Sequence, residues 1–89
     1  MRLNPDFLTH VTGDYMVLVP VGDAGDKFRG VVRLNRTASF IADKLKDEIT
    51  RDGLIKALNE EYNGTAEQFE RAVDETVLKL RQVGAVIDE

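Results

Sequence analysis

Few residues of this chain could do chemistry, and their spacing excludes most of it. His10 is the one histidine and cysteine is absent, so zinc would have to be held by carboxylates alone, and neither a thiolate nucleophile nor a disulfide exists. No Ser/His/Asp set has a supporting context around His10, and neither standard glycine-rich phosphate loop occurs. Asp23 and Asp26 lie three apart in a glycine-bearing segment and could draw a hard cation. The alternating oxygen ligands and distal Glu of a calcium loop are missing, however, so a solvated turn is the plainer reading. These residues give no catalytic group, no metal ligand and no cofactor site, and the chain is not expected to be an enzyme. What remains is a basic cluster, Lys27, Arg29, Arg33 and Arg36, around the segment Gly30-Val31-Val32-Arg33-Leu34-Asn35-Arg36-Thr37-Ala38. There a short β pattern runs into a helix start with almost no linker. Such charges either blunt an exposed strand edge against aggregation or receive an acidic peptide, and both readings require the strand to be an edge.

The elements that must position this segment follow from periodicity. Residues 7–11 and 15–19 alternate β-forming side chains around the turn Thr12-Gly13-Asp14, which predicts a hairpin. The second strand is apolar on both faces: Tyr15, Val17 and Val19 point one way, Met16 and Leu18 the other. Helices can cover one face, and the other needs a second cover. Pro20 ends this strand, and residues 21–27 read as a polar, glycine-bearing loop. In the third strand Gly30, Val32 and Leu34 share a face, and Val32 and Leu34 are expected inward, with Val31 and Arg33 outward.

Three helices follow. Asn35 or Thr37 caps the first, whose buried stripe is Ala38, Ile41, Ala42 and Leu45, with Phe40 on its flank. Thr50 caps the second, Ile49 and Leu54 form a hydrophobic staple, and the helix is expected to end at Asn63-Gly64 in a left-handed cap. Thr65 and Gln68 form a capping box for the third, which runs to about Val83 and stops at Gly84. Phe69, Ala72, Val73, Thr76, Leu80 and Val83 fall on its buried side. Leu78 sits nearly opposite Phe69, among Arg71, Asp74, Glu75 and Gln82, either as a lone surface leucine or as the lining of a groove. The tail Ala85-Val86-Ile87 reads equally as a short strand or as packed coil.

The length of 89 residues implies one domain, residues 1–89, with little core to spare for a buried active site. No segment resembles a signal peptide or approaches the roughly 20 apolar residues that cross a bilayer. With the lack of cysteine, this gives the expectation of a cytoplasmic protein that does not meet membranes. Residues 1–46 carry five acids against seven bases, and residues 47–89 eleven against five. The helical half is therefore acidic and would repel nucleic-acid phosphates.

The pattern Val32-x-Leu34-Asn35-x-Thr37-Ala38-x-x-Ile41, then Ile49-Thr50 opening a helix, then Leu80-x-x-Val83-Gly84-Ala85-Val86, resembles the PqqD family over residues 4–87. That family takes its name from pyrroloquinoline quinone biosynthesis and shares the fold of the peptide-recognition element of ribosomal-peptide modification systems. The resemblance implies an α+β fold, a three-stranded antiparallel sheet packed on a three-helix bundle in a winged-helix-like arrangement. It implies a non-catalytic adaptor that binds the leader of a precursor peptide by strand addition and presents it to a modifying enzyme, commonly of the radical-SAM type. The matching positions are Arg29, Gly30, Val31, Val32, Arg33 and Leu34 on the strand, and Arg71, Asp74, Glu75, Leu78 and Arg81 on the open side of the third helix. Two other readings compete: a winged-helix DNA-binding regulator, which the acidic helices oppose, and a small homodimerisation module burying Met16, Leu18 or Val31 across a twofold axis.

Overall fold

The computed structural model describes residues 1–27 and 30–88. Its largest sheet grows from the β-rich segments. Strand β2 (Phe7–Thr12) and strand β3 (Tyr15–Pro20) form the expected hairpin, closed at Thr12↔Tyr15, and β4 (Val32–Leu34) pairs antiparallel with β3. Strand order is β2-β3-β4, so β2 and β4 are both edges. A second, two-stranded sheet joins β1 (Arg2–Leu3) to β5 (Val86–Ile87), with Leu3 opposite Val86. The C-terminal tail is thus a strand, and its partner is an N-terminal segment too short for alternation to reveal.

Among the described residues four helices accompany the sheets where three were expected. The addition is α1 (Gly22–Lys27), in the segment read as loop. Pro20, Gly22 and Gly25 look like punctuation in the sequence, yet here they build a helix close under a strand end. Gly22 takes φ +57° to turn the chain, and a Cβ on Gly25 would come to 3.3 Å from the Pro20 carbonyl oxygen. A side chain there would press on that carbonyl, and glycine avoids the contact.

The remaining helices are α2 (Arg36–Lys44), α3 (Arg51–Glu61) and α4 (Ala66–Gln82). Asn35 caps α2 by accepting from the Ala38 amide, Thr50 caps α3 through the Gly53 amide, and the Thr65/Gln68 capping box is complete. The end of α3 differs from expectation. Tyr62 is its C-cap with extended backbone, and Gly64 is not left-handed. Glycine stands there because a Cβ would meet Gln68 Oε1 at 2.9 Å and the Phe69 ring at 3.1 Å. Close packing on α4, not cap conformation, fixes the residue type.

The core lies between the inner sheet face and the helices: Met16, Leu18, Val32 and Leu34 from the sheet, and Ile41, Leu45, Leu54, Leu58, Val73 and Leu80 from α2 to α4. Full burial of each such leucine stabilises by about 1.5–3 kcal/mol. Because Met16 and Leu18 are 2% and 0% exposed, the monomer core already holds them and they cannot form a dimer face. The opposite face, carrying Tyr15, Val17 and Val19 with Leu8 across on β2, stays open or half-open. That is the side for which the sequence asked a second cover.

Candidate functional site

Strand β4 is short, and three kinds of contact hold it. Val32 and Leu34 point into the core at 5% and 3% exposure, as expected, while Val31 is 45% exposed and Arg33 is exposed. Asn35, directly after the strand, is the α2 cap, so strand and helix share a fixed junction. Ser39, buried on α2, then clasps the sheet. Its hydroxyl accepts from the Met16 amide at 2.8 Å and donates to the Leu34 carbonyl at 3.2 Å. A hydroxyl thereby bridges β3 and β4 at the pair Met16↔Leu34.

That bridge fixes which backbone groups face outward. Met16 N–H and Leu34 C=O point toward one another through Ser39, and in an antiparallel pair the sense alternates residue by residue. The hairpin gives the same answer. Its two-residue loop makes Thr12↔Tyr15 a hydrogen-bonded pair, hence His10↔Val17 as well, so the polar groups of Val17 face β2 and not its β4 partner Arg33. Arg33 N–H and C=O consequently face away from β3, at the open edge of the sheet. Gly30, exposed with φ +113°, leads the chain into this edge. Arg29 lies outside the described residues.

The expected basic cluster divides. Arg36 turns to the hairpin and pairs with Asp14 at 3.0 Å. Arg33 remains exposed on β4, and Lys27, also exposed, ends α1 near Asn4, Asp6, Val83 and Gly84.

On α4, Phe69, Val73, Thr76 and Leu80 form the buried stripe, and the five expected groove residues distribute around the rest at about 100° per residue. Asp74 sits on the flank that meets α3, held in a two-pronged pair by Arg51 (2.7 and 3.0 Å). The Arg51 guanidinium lowers the Asp74 carboxyl below its usual range, the hydrogen bond being the main cause. Arg81, on the same flank, pairs with Asp88 beyond β5 and lowers that carboxyl likewise. Arg71 and Leu78 stand on the crest opposite the core, Leu78 at 58% exposure. Glu75 is the one of the five on the flank turned from α3, with half-buried Ala72 and exposed Lys79 as neighbours. β4 packs on β3 and α2, and α4 packs on α3 and α2, so α2 is the element both walls share.

Two features escaped sequence reasoning. Ser39 looked like one more polar helix residue, and its only sequence signal is its place beside Ala38 on the apolar stripe. Lys79 lies on the Ala72 flank of α4, between the buried stripe and the crest, where no apolar periodicity singles it out. Among the described residues no group of His, Asp or Glu could hold a metal ion, and no helix is long and apolar enough to cross a membrane.

Comparison with known proteins bears on this edge. The chain matches the family described as "Coenzyme PQQ synthesis protein D (PqqD)" over residues 12–86. No curated protein sequence matches it. Two solved structures are similar to nearly all of it. One, "TbiB1 in Complex with the TbiA(beta) Leader Peptide", has 18% identity and TM-score 0.80 and covers 99% of this chain and 100% of its own, a likeness of fold. The other, "Lasso peptide synthetase B1 complexed with the leader peptide", has 28% identity and TM-score 0.76, covering 98% of this chain and 96% of its own.

Proposed function

The chain belongs to the PqqD family, and from that premise we propose that it is a non-catalytic adaptor that binds the leader of a ribosomally made precursor peptide and presents it to a peptide-modifying enzyme. The observation that carries the reading is the open edge of β4, with Arg33 N–H and C=O facing outward from a strand clamped by Ser39. Both similar solved structures are described as leader-peptide complexes.

The leader adds as a strand beside β4. It bonds to the main chain of Arg33 and, two residues back, of Val31, in the β-augmentation mode. Four such bonds at ~0.5–1.5 kcal/mol each fall short of the ~8 kcal/mol of a micromolar complex, so side chains must supply the remainder. Gly30 leaves room for the incoming backbone, and exposed Lys27 and Arg33, with Arg29 between them in sequence, favour acidic leader residues. On the helix wall the leader would meet Glu75, on the flank turned from α3 beside Ala72 and Lys79, and Leu78 on the crest. Arg71 stands farther along the crest. Asp74 and Arg81 are already engaged with Arg51 and Asp88, so a leader would have to displace those partners to reach them.

Titration of the labelled protein with leader peptides encoded beside its gene tests the proposal by amide chemical shifts. Saturable shifts at residues 30–34 are expected. No shift there with any encoded leader would remove the reading, and co-purification with the neighbouring modifying enzyme tests its second half.

A further inference from the structure

A cleft of about 390 Å³ opens at the far end of the sheet, between the tip of the β2–β3 hairpin, α2 and the end of α3. Its volume lies in the range of sites that take a specific ligand group. The walls mix aromatic and aliphatic side chains with charged ones. Phe40 and Tyr62 meet edge to face at 5.4 Å, and Val11 and Tyr15, 56% and 53% exposed, stand at the mouth.

The charges in the cleft do not balance. Asp14 is paired with Arg36 at 3.0 Å, and Asp43 with Lys46 at 3.2 Å. Among the described residues Glu61, the third lining carboxylate, has no cationic partner. It also sits in the last turn of α3, where the helix dipole is negative and no basic residue compensates. Glu60 precedes it. Two acids at this end oppose the dipole, and a cation brought to the cleft from outside would relieve both. The lining cation Arg36 is taken by Asp14, and Lys44, 5.2 Å from the Phe40 ring centre, is engaged with that ring.

We propose that this cleft docks an arginine side chain carried on an apolar segment of the partner protein. The guanidinium would bind Glu61 and stack on the ring of Tyr15 or Tyr62, while the flanking apolar residues would cover Val11. Arginine fits better than lysine because a planar guanidinium can pair with a carboxylate and stack on a ring together. Identifying that partner as the modifying enzyme rests on the adaptor reading above. The cleft lies at the hairpin tip and does not include β4 or α4, so leader and enzyme could be held at once.

The test uses acetyl-Leu-Arg-Leu-amide as probe, with its citrulline counterpart, which has the same shape without the charge. At low salt the arginine probe is expected to shift the amides of Tyr15, Ser39 and Tyr62 saturably, with the citrulline probe about tenfold weaker. Glu61→Gln, a surface change, should bring the arginine probe down to the citrulline level while leaving leader binding at residues 30–34 unchanged. Equal binding of the two probes, no shift at the cleft, or indifference to Glu61→Gln would overturn the proposal. So would a concentration-dependent dimer that Glu61→Gln abolishes, since a second copy would then be the occupant. If the probe binds and no leader does, the cleft stands and the adaptor reading falls.

Discussion

The two edges of the three-stranded sheet are built in opposite ways. β2 is six residues long and exposed from Leu8 onward, with only Phe7 buried. β4 is three residues long, and two of them are in the core. By length and exposed apolar surface β2 is the better template for an added strand, and β4 the poorer. The contacts reverse this ranking. β4 is fixed on one side by β3, at its end by the Asn35 cap and beneath by the Ser39 clasp, whereas β2 packs mainly on β3, with Phe7 in the core and the exposed Asp14–Arg36 pair at the hairpin tip. An edge whose groups are already held loses less entropy when a peptide binds. On the proposed reading, the edge that takes the leader is the anchored one and not the longer one.

The comparison can be broken first at the core. Leu34→Ala should destabilise by about 2–5 kcal/mol, read by urea unfolding, whereas Leu8→Ala on β2 should stay within ~0.5 kcal/mol. Similar losses from both would mean that the edges are equally anchored. Next comes the clasp. Ser39→Ala leaves Met16 N–H and Leu34 C=O without their bridge, at a cost of about 1–3 kcal/mol, and should also weaken leader binding. Weakened stability with unchanged leader affinity would separate anchoring from recognition.

A pair of prolines sharpens the contrast without touching the core. Val31→Pro removes an outward donor beside β4 and should weaken a leader at least about tenfold, a loss of ~1.4 kcal/mol. Thr9→Pro, at an outward-facing position on β2, should not change leader affinity, nor should Lys46→Ala. The smallest effect belongs to the α3 flank of α4. Arg51→Ala frees the Asp74 carboxyl, whose lowered pKa gives stability that is present above the ordinary carboxylate range and fades as pH falls through the lowered value. The pair lies on the surface, where solvent screens it, so only a slight change in acid unfolding is expected, with neither edge affected.

Much of this was legible in the residues. The hairpin, the inward placement of Val32 and Leu34, the caps at Asn35, Thr50 and Thr65 and the stripe of α4 all rest on local patterns of period two or 3.6, which the structure keeps. Helix α1 was hidden because Gly25 serves a close approach to Pro20 and Gly22 a positive-φ turn, and both read locally as loop signals. Strand β1 was hidden because two residues carry no period. On α4 a helical wheel shows what is opposite the core but not which flank meets a neighbour. Arg51 on α3 settles that for Asp74, and no local pattern ties residue 51 to residue 74.

Backbone amide exchange, residue by residue, with and without a saturating leader peptide, tests the central claim most directly. Arg33 and Val31 amides should slow on binding, while the outward amides of β2, Thr9 and Val11, should exchange as before. Protection at Thr9 and Val11 with Arg33 unchanged would contradict the account and move the peptide to the other edge.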